Sequence, residues 1–165
     1  MFGIRYFKAD SSTYVMKSTG GKIGKKGKGL NFFYNSTTTS IAAVAINAQE
    51  APFIFKLQTV DFQEVRVQGQ ITYRIASPER IIEVLNFNLK EDGQSYKSED
   101  PIKLGDRVIR ATQSLIQNMV QNVPLRAALL SSQSLVSTIK AELDQQSSLE
   151  TLGIEVVEAT IAGVF

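Results

Sequence analysis

Four lysines spaced by glycines form the most chemically distinctive segment of this chain. Residues 20–29 contain five glycines and the lysines Lys22, Lys25, Lys26 and Lys28. We predict a loop whose glycines would let the backbone follow a surface and whose lysines are either solvated or meet an anionic partner. The segment is not a phosphate-binding P-loop, because the glycine spacing is wrong and no Ser or Thr follows to hold magnesium.

Three uses of these lysines stay open at this point. They can keep the protein soluble, contact anionic lipid, or bind nucleic acid. No aromatic residue is interleaved with the lysines, so recognition of nucleic acid by base stacking is poorly supported. We therefore keep an anion- or nucleic-acid-binding module as the alternative function and expect no nucleic-acid partner.

Catalytic chemistry has little support in the composition. The chain has no cysteine and no histidine, which removes thiolate nucleophiles, the commonest general base and the commonest metal ligand. Asp61 and Glu64 are neighbouring acids, which we interpret as a turn and a solvated strand face, with a carboxylate hydrolase as a remote third hypothesis. We expect a non-enzymatic protein with no catalytic residue, no metal site and no cofactor.

Consecutive aromatic residues follow the lysine segment. Phe32, Phe33 and Tyr34 fit the core of a sheet. The alternative is that Phe32 and Phe33 lie at a membrane interface, where aromatic side chains insert beside the headgroups.

Charge is unevenly distributed along the chain. The first 30 residues hold seven basic side chains and one acid, whereas the other 135 hold 11 basic and 15 acidic ones.

No apolar run approaches the roughly 20 residues that span a bilayer. The N-terminus is too short and charged for a signal peptide, and Phe2 stands where myristoylation needs glycine. We expect a cytoplasmic chain whose membrane contact is peripheral.

The elements that must position these residues begin with one strand. Residues 64–75 alternate without a break between apolar and polar side chains, which predicts a strand in the middle of a one-sided antiparallel sheet. Gly69 interrupts the apolar face, so we expect a bulge or a close backbone approach there. Residues 53–58 alternate in the same way and should pair with this strand.

The remaining pattern predicts strands before helices, and then a closing strand. We predict further strands at residues 2–9, 13–17, 30–34 and 41–46, and helices at 78–87, from 104, at 125–129 and from 135 to 152. Residues 90–100 should form an exposed loop. The inward-facing residues of the second helix should be Leu104, Val108, Ala111, Leu115 and Met119, and on the closing strand Val157, Ala159 and Ile161 should share one side. This order indicates an α+β fold in which several helices cover one face of an antiparallel sheet, as a single domain over residues 1–165.

Several short motifs follow one another at a familiar spacing. They are Gly27-Lys28-Gly29-Leu30-Asn31-Phe32-Phe33, Thr59-Val60-Asp61, the strand at 65–75, Ser77-Pro78-Glu79, Arg110-Ala111, Leu125-Arg126, the helix at 135–143 and Gly153-Ile154-Glu155-Val156. In order and spacing they resemble the SPFH, or Band 7, domain of stomatins, prohibitins and flotillins over residues 23–164. The resemblance implies a non-enzymatic scaffold that self-assembles and organises proteins at a membrane surface.

The chain also departs from that family. It lacks the membrane hairpin, transmembrane helix or acylation sites that relatives usually carry, and Asn35-Ser36-Thr37 stands where many have a proline. It stops soon after the closing strand, so we expect a fragment without the coiled coil that usually follows. The resemblance implies a homo-oligomer in the full-length context, while this chain alone should be a monomer or a weak oligomer. Its protein partners are not indicated.

Overall fold

A computed structural model describes residues 3–165, apart from the side chains of residues 147 and 148. In chain order its strands are β1 (Ile4–Lys8), β2 (Thr13–Thr19), β3 (Lys22–Lys28), β4 (Asn31–Asn35), β5 (Thr39–Ala45), β6 (Gln49–Gln58), β7 (Glu64–Ile75) and β8 (Ile154–Val164). Its helices are α1 (Pro78–Val84), α2 (Leu104–Gln121), α3 (Leu125–Leu129), α4 (Ser132–Gln145) and α5 (Ser147–Thr151). The α+β fold predicted from the sequence is confirmed.

The chain divides into two compact units. The first unit comprises Met1–Asn47 and Ile75–Lys103, and the second comprises Ala48–Arg74 and Leu104–Phe165.

The second unit is organised around β7. This strand pairs antiparallel with β6 over its full length, from Gln49 opposite Tyr73 to Gln58 opposite Glu64. On its other side lies β8, where the N–H groups of Arg66 and Phe165 each donate to the carbonyl of the other residue. Such reciprocal bonds are made by antiparallel strands. The predicted pairing of β6 with β7 is confirmed.

Helices cover one face of this sheet. The apolar positions of β6 and β7 that were predicted to face a core are buried, while the intervening ones are exposed or half-buried. Helix α2 packs on β6, α4 packs on β8, and the two helices contact each other. Alternation at a period of two thus places one side of the sheet beneath the helices, as predicted.

Gly69 is a position where the backbone of β8 passes close to β7. A Cβ atom built there would lie 2.3 Å from the carbonyl oxygen of Thr160 and 2.8 Å from the ring of Phe53. The pairing of β6 with β7 continues unbroken past it. Of the two alternatives predicted, the structure shows the close backbone approach.

The first unit contains two small antiparallel sheets. Strand β1 pairs with β4, and β2 lies between β3 and β5. Side chains from both sheets meet in one apolar cluster, which consists of Phe7, Val15, Phe32, Tyr34, Ile41, Ala43 and Leu89. Tyr96 packs against this cluster and donates a hydrogen bond from its hydroxyl to the carbonyl of Ala43 at 2.7 Å. The predicted loop at 90–100 is therefore attached to the core through Tyr96, and the Tyr34 hydroxyl of the cluster also donates to the Glu91 carbonyl at 3.3 Å.

The prediction that residues 20–29 form a loop is wrong. Residues 22–28 are strand β3, which pairs with β2 through a two-residue turn at Gly20 and Gly21. Both glycines have positive φ, 60° and 81°, which is the requirement of the type I′ turn that joins tight hairpins. A glycine- and lysine-rich segment has low strand propensity, but pairing with β2 satisfies the backbone groups on the side of β3 that faces β2.

Helix lengths were overestimated at two places. Helix α1 ends at Val84 rather than near Phe87, because Leu85, Phe87 and Leu89 alternate in extended backbone and the last two bond to β5. The predicted helix from 135 to 152 is two helices, with extended backbone at Gln146 between them.

The faces predicted for α2 and β8 differ from those in the structure. On α2, Ile116 and Val120 are buried instead of Leu115 and Met119. Residues four apart advance around a helix by about 40° per step, so this buried stripe slants along α2. On β8 the buried residues step from Val156 to Ala159, and Val157 is exposed.

We expect Gly69→Ala to destabilise the second unit by about 1–3 kcal/mol, because the added methyl group would overlap a backbone oxygen of β8. Chemical denaturation measures the loss. Gly24→Ala is the matched control, since its nearest neighbour would be 3.8 Å away, and it should stabilise by up to about 1 kcal/mol. Equal effects of the two substitutions would contradict the role assigned to Gly69.

Candidate interaction surfaces

The four lysines of β3 do not share one face. Register places Lys26 opposite Met16 and Lys28 opposite Tyr14, whereas Lys25 lies opposite Lys17. Residues directly opposite in an antiparallel pair point to the same side, and successive residues alternate. Lys26 and Lys28 therefore point to one side of the sheet and Lys25 to the other.

A β-bulge in β3 places Lys22 with Lys25. The register shifts between Lys17 and Ser18, which leaves Gly24 as the extra residue. Lys22 lies opposite Thr19 and shares the side of Lys25 and Lys17. The lysines thus form an exposed edge with positive charge on both sides, not a single patch.

Lys26 belongs to a polar network on the first unit. Its ammonium lies 3.3 Å from the carboxylate of Glu79, which also accepts a 2.7 Å hydrogen bond from the Tyr14 hydroxyl. Burial, together with this hydrogen bond, raises the pKa of Tyr14 to about 12. The Tyr14 hydroxyl and then Lys26 lower the pKa of Glu79. The network links α1 to the β2–β3 hairpin. Lys26, one of the four lysines considered for an anionic partner, is thus paired with Glu79 of the same unit.

The two candidate interfacial aromatics are separated by the pleat of β4. Phe32 is 5% exposed within the apolar cluster, with the Lys17 ammonium 4.9 Å from its ring centre, so it cannot insert into a membrane from this position. Phe33 is 70% exposed on the opposite side. The interpretation of Phe32 as an interfacial residue is corrected, and Phe33 remains a candidate.

Phe33 has exposed apolar neighbours on β1 that sequence reasoning missed. It lies opposite Tyr6 with 4.9 Å between ring centres, and Ile4 is on the same outward side of β1. We call Ile4, Tyr6 and Phe33 the aromatic face; all three are exposed. The alternation along β1 could have indicated that Tyr6 faces outward. That Tyr6 lies beside Phe33 follows only from the pairing of β1 with β4.

The turn between β6 and β7 is held by a dense set of hydrogen bonds. The carboxylate of Asp61 accepts from the Thr59 hydroxyl and from the backbone N–H of Leu125, the first residue of α3. The Thr59 hydroxyl lowers the pKa of Asp61 most, and the Leu125 N–H acts in the same direction. Asp61 therefore has a structural role, as the predicted turn implied. In the described residues there is no group of three or more potential metal ligands.

Phe62 adopts an unusual conformation in this turn. Its φ is 62°, which places a bulky residue in the left-handed region where glycine and asparagine are usual. Its ring is 79% exposed, and Val60 beside it is also exposed. Sequence reasoning did not identify this aromatic residue, because nothing in the turn sequence indicates its backbone conformation.

We expect Asp61→Ala to lower the melting temperature at neutral pH, since two donors lose their acceptor. The lowered pKa means that the carboxylate stabilises the folded state above its unfolded pKa of about 3.9 and that this is lost on acidification. Thermal denaturation at neutral and acidic pH should show that the difference in melting temperature between the variant and the unmodified chain becomes smaller in acid. Glu64→Ala, on the exposed face of β7, should change little at either pH. A deficit that persists undiminished in acid would contradict the assignment.

No helix among the described residues is long and apolar enough to cross a membrane. No curated protein matches the chain significantly. The family described as the SPFH domain / Band 7 family matches residues 7–164, which include most of both units, the β2–β3 hairpin, the β6–β7 turn and all of β8. This chain belongs to the SPFH domain / Band 7 family.

Proposed function

We propose that this chain is a non-enzymatic scaffold that self-assembles and attaches peripherally to an anionic membrane surface. Membership of the SPFH domain / Band 7 family supports the scaffold role. The observation that carries the membrane contact is the aromatic face of the first unit, where an exposed apolar pair lies next to basic side chains.

The aromatic face has the composition of an interfacial contact. Tyr6 and Phe33 pack against each other across β1 and β4 with their ring planes tilted by 52°, and Ile4 extends the apolar surface along β1. Tyrosine suits the boundary between apolar and wet surroundings because its ring is apolar and its hydroxyl is polar. Lys8 lies on the same side of β1, one pleat beyond Tyr6, and is exposed.

Electrostatics adds to this contact. The first unit carries 11 basic and seven acidic side chains, whereas the second carries seven basic and nine acidic ones. Each lysine near an anionic bilayer contributes about 1 kcal/mol, and salt weakens it. The exposed lysines of β3 support weak, reversible attraction to anionic lipid, even though Lys26 is shared with Glu79.

The carboxylates with lowered pKa support a non-enzymatic role. Catalytic acids and bases usually have pKa values shifted toward the operating pH. Those of Asp61 and Glu79 are shifted away from it, by hydrogen bonds that hold the fold together.

We expect the chain to float with anionic vesicles and to lose this binding when Tyr6 and Phe33 are both changed to serine. Vesicle flotation measures the effect. Changing Lys22, Lys25, Lys26 and Lys28 to glutamine should weaken binding to anionic vesicles, as should high salt, because both remove the electrostatic attraction. None of these six exposed side chains is core, so the melting temperature should change little.

Ile54→Ser is the matched control, because Ile54 is an exposed apolar residue on the outward side of β6 in the second unit. It should float like the unmodified chain. Absence of flotation with any vesicle, or flotation unaffected by the Tyr6 and Phe33 changes, would contradict membrane contact through the aromatic face.

A further inference from the structure

An apolar cleft lies among three helices of the second unit. It has a volume of about 250 Å³ and is lined by Met119, Val120, Val123, Ala127, Leu130 and Leu135, together with two serines. None of the lining side chains is charged. A site of this composition accommodates an uncharged apolar group of about the size of one aromatic side chain.

The β6–β7 turn lies next to this cleft and presents such a group. The N–H of Val60 donates to the carbonyl of Val123, a residue of the cleft, at 3.0 Å. Asp61, in the same turn as Val60, accepts a hydrogen bond from the N–H of Leu125 on α3. Phe62 follows directly, yet its ring is 79% exposed, so it does not fill the cleft of its own chain.

The conformation of Phe62 is imposed by its surroundings. Its N–H donates to the Thr59 carbonyl at 3.1 Å, and the Thr59 N–H donates to the Gln63 carbonyl at 2.9 Å. The buried Thr59 hydroxyl additionally accepts from the Gln63 N–H. Because neighbours on both sides are bonded, the ring is held outward on a fixed turn, which lowers the entropic cost of binding it.

We propose that Phe62 of one copy of this chain inserts into the apolar cleft of a second copy. The proposal deepens the self-assembly part of the proposed function and is independent of membrane contact. Both complementary parts belong to one chain, as a contact between identical copies requires, and the hydrogen bond from Val60 to Val123 places them next to each other in the second unit.

Charge complementarity favours a second copy as the occupant. Glu64, two residues after Phe62, is exposed at the start of β7. Arg126 precedes the cleft residue Ala127 on α3 and is also exposed, and α3 contains no acid. Insertion of Phe62 thus brings an acidic residue toward a basic rim, in addition to filling an apolar cleft with a ring.

The contact is small, so association is weak for one pair of copies. A single aromatic residue and a few rim residues bury less surface than stable dimers do, for which about 1,200 Å² or more is usual. In a longer assembly the same contact would be strengthened by repetition, since linked weak contacts act together.

Sedimentation equilibrium of the complete chain in lipid-free buffer tests the proposal. We expect concentration-dependent association, with Phe62→Asn raising the dissociation constant at least about tenfold, or ~1.4 kcal/mol. Asparagine tolerates positive φ, so the turn should keep its conformation. Ile102→Asn is the matched control, because Ile102 is also 79% exposed but lies in the first unit, and it should leave association unchanged.

Two further variants probe the cleft and its rim. Ser134→Glu places a charge among the lining residues, near the start of α4 where an acid favours the helix, and should weaken association as strongly as Phe62→Asn. Arg126→Glu and Glu64→Arg should each weaken association, and the double variant should restore it. Restoration is expected only if the two side chains approach each other between copies.

A chain that sediments as a monomer at every concentration would overturn the proposal, as would association unaffected by both Phe62→Asn and Ser134→Glu. Flotation with vesicles that depends on Phe62 in a monomeric chain would assign the turn to a membrane contact instead. The Tyr6 and Phe33 double variant should still associate in lipid-free buffer, which distinguishes failure of this proposal from failure of membrane contact.

Discussion

The absence of a side chain at Gly69 is the constraint on which the second unit depends most directly. The backbone of β8 passes where a Cβ atom would lie, so no other residue fits without movement of the strand. The pairing of β8 with β7 completes the three-stranded sheet, and α4 and α5 pack on β8. A single glycine in an otherwise strict apolar face therefore supports both the sheet and the helices that cover it.

Local hydrogen bonding, rather than a large core, positions the candidate surfaces. Two glycines with positive φ close the β2–β3 hairpin and place its lysines along an edge strand. At the β6–β7 turn, the Thr59 hydroxyl accepts from the N–H of Gln63, and Asp61 accepts from the N–H of Leu125 on α3. The lysines are thus presented by an edge strand and Phe62 by a turn that is bonded to a helix.

The two units differ in the surfaces they offer. The first carries an excess of basic side chains and the aromatic face, and the second carries an apolar cleft beside an exposed phenylalanine. The proposed scaffold would need one surface for its support and another for its copies or partners. Having a distinct surface on each unit would allow attachment and assembly to occur independently, which is why separate measurements can test them.

The sequence by itself determined the elements with strong periodicity and their class. Strict alternation of apolar and polar residues was sufficient to predict β7 and β6, and apolar side chains about four residues apart were sufficient to predict α2 and α4. An element that is buried on one side has apolar residues at its own structural period, which can be read from the sequence. The order of motifs was sufficient to indicate the family. Tertiary structure alone decided that a glycine- and lysine-rich segment pairs as β3, that Phe32 is buried while Phe33 is exposed beside Tyr6, and that Phe62 projects next to a cleft. These outcomes depend on which strand lies beside which, and on backbone hydrogen bonds between residues far apart in the chain, neither of which is recorded in local composition.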